Sequence, residues 1–188
     1  MQAWCDIGKL AVMTAIFGVC FAMLASAIGI RSPWLGLLLM FYFMGLLKAA
    51  EPLFMLRMPQ AIRTVDPRRV KQGLYLWLGV RGFGALIRNT PLRYLNSSVY
   101  GASGKRSLAE LSHKLESTEA IHFWAAVLFT PYIAYIWCRG FAAIAVLFAL
   151  IQVVFNVYPI LHLRVVRARL SRVKQAGSAS RLLRTPLA

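Results

Sequence analysis

The sequence predicts an all-α integral membrane protein: four transmembrane helices, with a cytoplasmic interfacial helical region between the second and the third. Of its 188 residues, 59% are hydrophobic, against roughly 45–50% in an average soluble domain. Lys and Arg number 22 and Asp and Glu only 6, a net charge of +16, yet four long segments are almost uncharged. This composition excludes a soluble enzyme domain, a disordered basic tail and a secreted disulfide scaffold.

The first two apolar segments predict two membrane spans. Residues 10–30 lie between Lys9 and Arg31 and exceed the ~20 apolar residues that a bilayer core requires. Residues 32–50 contain only Lys48 as a charge, and its side chain can reach the interface while its stem stays in the apolar layer. We expect this second segment to cross fully, with a re-entrant hairpin as the alternative.

The third and fourth spans are predicted over residues 120–138 and 140–163. Only the dipeptide Arg139-Gly140 separates the two apolar runs. Because so short a connection leaves no room for a crossover, these helices are expected to form a tight antiparallel hairpin.

Residues 51–119 predict an interfacial region, because prolines divide it into short pieces that mix apolar and basic residues. Two helices are expected at the membrane surface, over residues 53–62 and 70–87. A capping box from Ser107 to Glu110 predicts a further helix that begins at Ser107 and runs into the third span. The spans and this region are expected to form one membrane domain, 1–174, followed by a basic flexible tail, 175–188.

The distribution of basic residues predicts the orientation. Twelve Lys and Arg occur from Lys48, near the end of the second span, to Lys114, and seven follow the fourth span. Arg31 and Arg139 are alone in the other two loops. Because basic residues favour cytoplasmic loops, both termini and the central region are expected inside. The chain is then a multi-pass protein of the bacterial cytoplasmic (inner) membrane.

The cysteines do not indicate a disulfide framework or a metal site. Cys5, Cys20 and Cys138 are odd in number and far apart in the sequence. We expect each to be a buried, inert thiol, and we expect neither a metal nor a bound cofactor.

Polar and ionisable residues converge at the predicted cytoplasmic ends of the third and fourth spans. Placing such side chains in or near a bilayer costs free energy, so those that occur there usually have a function. Glu119 and His122 are three residues apart and therefore share one helical face. The fourth span returns to the same side with Asn156, Tyr158 and His162. Such a cluster can hold a general base, a group that orients it and a donor for developing charge.

Each of these residues also has a purely structural explanation. Glu119 can be the last solvated residue before the membrane, His162 an interfacial residue and Asn156 a polar contact between helices. The arginines that follow the fourth span at helical spacing contact lipid headgroups by default; they are Arg164, Arg167 and Arg169.

Three short motifs resemble one family of membrane enzymes. They are E-A-I-H-F-W at 119–124, N-V-Y-P-I at 156–160 and the arginine-rich run 164–170. They resemble the E-x-x-H, N-x-Y-P and R-x-x-R-x-R-L patterns of the glycosyl-4,4'-diaponeurosporenoate acyltransferase family, small membrane enzymes of carotenoid pathways. The resemblance covers residues 75–172, and the chain departs from it at Phe123-Trp124, where a single Trp often follows the His.

The resemblance implies a membrane O-acyltransferase that moves a fatty acyl group from a thioester donor, acyl-CoA or an acyl carrier protein, to a hydroxyl of a lipid-soluble acceptor such as a glycosylated carotenoid. His122 would be the general base, Glu119 would stabilise its imidazolium form and Asn156 would donate to the oxyanion. The other polar residues of the last two motifs, together with His162 between them, would bind substrate: Tyr158, His162, Arg164, Arg167 and Arg169.

A second function stays open on the sequence alone: a non-catalytic four-helix subunit of a larger membrane protein complex. Its five tryptophans would then be interface anchors, and the polar cluster a structural network. The expected partners are membrane lipids and the lipid-soluble acceptor, or the other subunits of such a complex. Nucleic acid is not expected, because the basic residues follow the membrane face that the topology already requires.

Overall fold

The computed structural model describes residues 2–51, 53, 56–65, 75, 79–90 and 108–182, and it confirms the all-α fold class. No strand occurs within these ranges. Four helices are long and apolar enough to cross a membrane, as the sequence predicts: Trp4–Ile28, Pro33–Ala50, Leu108–Cys138 and Ala142–Gln175.

Helices α1 (Gln2–Ile28) and α2 (Pro33–Ala50) are joined by a short turn. α1 ends before residue 30 because Gly29 has a φ of 79°, the left-handed conformation with which glycine commonly ends a helix. Pro33 is the first residue of α2, where its fixed φ suits the helix and its missing N–H costs nothing. The unbroken 18 residues of α2 lie within the range of roughly 17–25 residues found in membrane-spanning helices, which agrees with the full crossing favoured above.

The region between the second and third spans departs from the prediction where it is described. The helix expected over residues 53–62 is wrong at 56–59, which are not helical, and α3 is confined to Gln60–Arg63. The reason is Pro59, which disfavours helical backbone at Met58. Helix α4 (Val80–Asn89) confirms the C-terminal part of the helix expected over 70–87 and extends two residues beyond it. Most of residues 70–78, and Ser107 of the predicted capping box, lie outside the described residues.

The C-terminal half consists of long helices. α5 (Leu108–Cys138) runs from the interfacial region into the third span, as predicted. Gly140, with a φ of 81°, allows the turn to α6 (Ala142–Gln152), and a π-helical turn (Val153–Val157) joins α6 to α7 (Tyr158–Leu182). Residues 175–182 continue this helix, and the run from 160 to 185 contains no proline to stop it. The basic flexible tail expected over 175–188 stays a prediction.

Within the expected membrane domain the chain divides into two compact units. Unit 1 comprises Met1–Leu56 and Ala120–Pro159, and unit 2 comprises Arg57–Glu119 and Ile160–Ala188. The core of unit 1 includes the buried side chains of Met40, Phe129 and Phe148. Gly36 admits the Phe148 ring, because a Cβ at residue 36 would clash with it. The core of unit 2 is smaller and is built on Leu115, Leu163 and Leu170.

The prediction of buried thiols is wrong. Cys5, Cys20 and Cys138 are all exposed. Cys5 and Cys20 belong to α1, whose most apolar stretch has no residue buried within the protein. In a membrane helix the outer surface is itself apolar, so a small hydrophobic residue does not have to be in a core.

Candidate active site

Asn156 lies in the π-helical turn of unit 1 and is fully buried. Pro159 explains the turn, because it has no N–H to donate to the carbonyl of Phe155 four residues earlier and its ring crowds that carbonyl. The backbone N–H of Tyr158 bonds instead to the carbonyl of Val153, five residues back. Such π-turns are frequent at functional sites, so the N-V-Y-P motif produces a distinct local geometry around Asn156.

His122 of α5 lies beside this turn. Its imidazole interacts with the Asn156 side chain and with the Phe155 carbonyl, although the approach to Asn156 does not have normal hydrogen-bond geometry. Three buried atoms consequently have no hydrogen-bond partner: His122 Nδ1 and the Oδ1 and Nδ2 atoms of Asn156. An unpaired buried polar atom costs about 1–3 kcal/mol. Buried polar atoms of this kind are satisfied by water or a ligand, or they take part in a reaction.

A second polar contact lies one turn from Asn156 in unit 1. Gln152 Nε2 donates to Thr130 Oγ1 at 3.3 Å, and Gln152 Oε1 is buried without a partner. Tyr158, at the end of the same turn, is half-buried and makes an interaction of its own. Helices α5 and α6 are therefore linked by polar side chains inside an otherwise apolar unit.

Glu119 belongs to unit 2 and is fully buried, so the solvated explanation for it is wrong. Its Oε1 accepts from Arg164 Nε at 2.6 Å, and its Oε2 accepts from Arg167 Nη1. Arg164 also donates to the carbonyl of Ile62 at 2.5 Å. Because a buried carboxylate is tolerated only when it is paired and hydrogen-bonded, this arrangement accounts for Glu119. The predicted pairing of Glu119 with His122 stays a prediction.

A second carboxylate extends this ion-pair network. Glu116, one turn before Glu119 on α5, pairs through Oε1 with Arg63 Nε, and its Oε2 lies 4.0 Å from Arg167 Nη2. Three guanidinium groups thus alternate with two carboxylates. The sequence did not predict that Arg63 belongs to this network, because no periodicity connects it with residues 116 and 167.

The other predicted site residues of unit 2, His162 and Arg169, do not lie together. The His162 ring packs against Gly84 of α4 so closely that an added Cβ would lie 2.5 Å from its Cε1. Gly84 was also missed, although a glycine within a helical pattern is a sign of close packing. Arg169 is exposed, and its two-residue offset from Arg167 places it on the opposite side of α7.

Unit 2 also contains an open cleft of about 430 Å³. Of the predicted substrate-binding residues, only Arg167 lines it. Its other charged lining residues are Arg63, Glu116 and Lys174. The predicted residues therefore lie at two places, His122 and Asn156 in unit 1 and the arginine network with its cleft in unit 2.

The family model for glycosyl-4,4'-diaponeurosporenoate acyltransferases matches residues 60–176, well over half of the 188-residue chain. The chain belongs to this acyltransferase family. The resemblance noted in the sequence is thereby confirmed, and the family is one of acyltransferases in a carotenoid pathway. Neither the curated proteins nor the solved structures contain a significant match.

The acyltransferase match covers residues 60–176 of the chain and not its first two helices. It begins at residue 60, earlier than the resemblance at residue 75, so it includes α3 and Arg63. Every candidate site residue lies within it, whereas α1 and α2 precede it. The family-specific chemistry therefore belongs with the part of the chain that contains both polar clusters.

Proposed function

We propose that this acyltransferase moves a fatty acyl group from a thioester donor to a hydroxyl of a lipid-soluble acceptor, such as a glycosylated carotenoid, at the cytoplasmic face of the bacterial inner membrane. The observation that carries the proposal is the group of three buried, unpaired atoms on His122 and Asn156 in a chain of this family. They provide one proton acceptor and one hydrogen-bond donor side by side, as the acyl-transfer step requires.

The reaction assigns one role to each side chain. His122 Nδ1 accepts the proton of the acceptor hydroxyl while that oxygen bonds to the thioester carbonyl carbon. The carbonyl oxygen becomes an oxyanion, and Asn156 Nδ2 donates a hydrogen bond to it. When the tetrahedral intermediate collapses, the C–S bond breaks and the leaving thiolate takes the proton from the imidazolium. The products are an ester and a free thiol.

The backbone carbonyl of Phe155 positions the base. Pro159 deprives this carbonyl of the N–H that an α-helix would supply, and the His122 ring interacts with the same carbonyl. A base oriented by a third group is the usual arrangement in acyl transfer. Glu119, whose two oxygens are bonded to arginines, holds the guanidinium groups of unit 2 in this scheme.

The substrates follow from the same chemistry. The donor is acyl-CoA or an acyl carrier protein, both of which carry phosphate groups that suit the basic residues of the chain. The acceptor is dissolved in the membrane, beside helices apolar enough to cross it. No cofactor takes part in this scheme.

The test is an assay of the purified full chain in neutral detergent with acyl-CoA and a glycosylated lipid acceptor, with the ester product detected by mass spectrometry. His122→Ala should lower turnover about 10²–10⁴-fold, whereas His113→Ala, which changes an exposed histidine of the same helix, should not. Full turnover in His122→Ala would contradict the assignment of the base. No ester from the wild type, together with co-purifying membrane subunits, would favour the non-catalytic subunit instead.

A further inference from the structure

We infer that the cleft of unit 2 is a binding site for a phosphate group. Its charged lining consists of Arg63, Arg167 and Lys174 against the single carboxylate of Glu116. With the Glu119 carboxylate that pairs with Arg167 also counted, three cations face two carboxylates. This excess of positive charge disfavours a metal ion or a basic peptide as the ligand and favours an anion.

Three segments of unit 2 form the walls. α5 contributes Ser112 and Glu116, four residues apart and hence on one face. α7 contributes Arg167 and Lys174, also on one face, and the segment after Pro59 contributes Arg63. The leucines of the unit 2 core lie on the adjoining faces of α5 and α7, so the cleft has two packed helical walls.

The guanidinium groups of the cleft are held in place by other residues. Arg63 Nε pairs with Glu116, and Arg167 Nη1 bonds to the fully buried Glu119. The Arg167 side chain is only 16% exposed, so its charge is less screened by water than that of a surface arginine. Because these side chains are already ordered, a ligand does not have to immobilise them, which lowers the entropic cost of binding.

The neutral lining residues favour phosphate over a carboxylate or an acyl chain. Thr64, Ser112 and Gln60 can each donate a hydrogen bond, and Val65 is the one apolar side chain of the lining. A carboxylate is satisfied by one planar guanidinium, whereas a phosphate accepts bonds on several oxygens from several directions. At about 430 Å³, the cleft also holds part of the group to which the phosphate is esterified.

Two kinds of molecule bring this chemistry to the protein: a soluble thioester donor with phosphates in its carrier group, and an anionic phospholipid. The site itself is inferred from unit 2 alone. Only the assignment of the phosphate to the acyl donor rests on the proposed function.

The experiment measures binding, not turnover, with the full chain. Free coenzyme A is titrated into protein in neutral detergent by calorimetry, and retention of phosphatidylglycerol over phosphatidylcholine is measured in mixed-lipid nanodiscs. Lys174→Gln removes a cleft charge, and Ser112→Phe fills the cleft with the charge unchanged. Arg139→Gln is the matched control, because it removes the same charge from an exposed arginine that does not line the cleft.

We expect Lys174→Gln to weaken coenzyme A binding about tenfold, as the loss of one charge-assisted contact does. Ser112→Phe should weaken it at least as much, and Arg139→Gln should leave it unchanged. The same pattern in phosphatidylglycerol retention, with coenzyme A unaffected, keeps the site and makes the lipid the source of the phosphate. The inference is overturned if neither probe responds to the cleft variants, or if Arg139→Gln weakens binding equally. A phosphate site in a chain that makes no ester would refute the proposed function and leave this inference standing.

Discussion

Burial and pairing separate the roles of Glu119 and His122, although the two residues are one helical turn apart in the sequence. Both oxygens of Glu119 are bonded to guanidinium groups, so this charge contributes to the stability of unit 2. His122 Nδ1 is buried without a partner, so this atom costs stability unless a ligand satisfies it. Departures from complete pairing are expected at functional sites, and His122 shows such a departure while Glu119 does not.

Replacement of Glu119 should therefore affect folding. Glu119→Gln leaves two guanidinium groups without their carboxylate, and removal of one partner from a buried pair costs about 3–5 kcal/mol. We expect a clear fall in the melting temperature of the purified protein in detergent. Asp6→Asn is the control, because it removes a carboxylate from the exposed pair with Lys9, and such surface pairs are worth about 0–1 kcal/mol. Equal and small shifts in both variants would show that Glu119 does not hold the network together.

At the scale of the helices, the π-turn between α6 and α7 is the element on which the proposed site depends. One proline changes the hydrogen-bonding pattern over Val153–Val157 and releases the Phe155 carbonyl that interacts with His122. An element that departs from regular geometry beside unpaired polar atoms combines two features common at functional sites.

Pro159→Ala should separate activity from stability. Alanine at this position supplies an N–H to the Phe155 carbonyl, so we expect the turn to become α-helical and Asn156 to rotate by about 100°, the angle per residue of an α-helix. Turnover should fall about 10²-fold, the typical cost of losing an oxyanion donor, with no loss of melting temperature. Pro131→Ala, which removes another proline from a helix interior, should keep near wild-type turnover. Equal turnover in the two variants would contradict the role given to the π-turn.

The sequence predicted the elements better than the contacts between them. Long apolar runs bounded by charges gave the four membrane helices, and the E-x-x-H and N-x-Y-P motifs contain His122 and Asn156, which the fold brings together. The ion pair of Arg63 with Glu116 was not predictable, because it joins segments more than 50 residues apart through side-chain packing alone. The contact of Gly84 with His162 was missed for the same reason.

At the scale of the whole molecule, the charge distribution predicts the orientation in the membrane. The central region and the C-terminal segment carry nearly all of the 22 basic residues, and Arg31 and Arg139 are alone in the other two loops. By the positive-inside rule we expect the basic cleft on the cytoplasmic side, where the proposed thioester donor is available.

Two native cysteines test this orientation, since both are exposed. Cys138 ends α5 beside Arg139, on the predicted outer side, and Cys5 lies near the N-terminus, on the predicted inner side. In intact cells that produce single-cysteine variants, a membrane-impermeant maleimide should label Cys138 and should label Cys5 only after the membrane is opened. The reverse pattern would invert the topology. Labelling of both residues from outside would mean that an even number of spans separates them, and not the three that are proposed.

The central claim, that His122 and Asn156 act together in acyl transfer, is tested most directly by a double-mutant cycle on turnover. His122→Ala and Asn156→Leu should each lower turnover by about 10²-fold or more, while Asn156→Leu should not lower the melting temperature, because neither atom of the amide is hydrogen-bonded. The double variant should lose little more than the worse single variant, since residues that act as a unit in one step are strongly non-additive. Full turnover in either single variant, or losses that multiply in the double variant, would contradict the account.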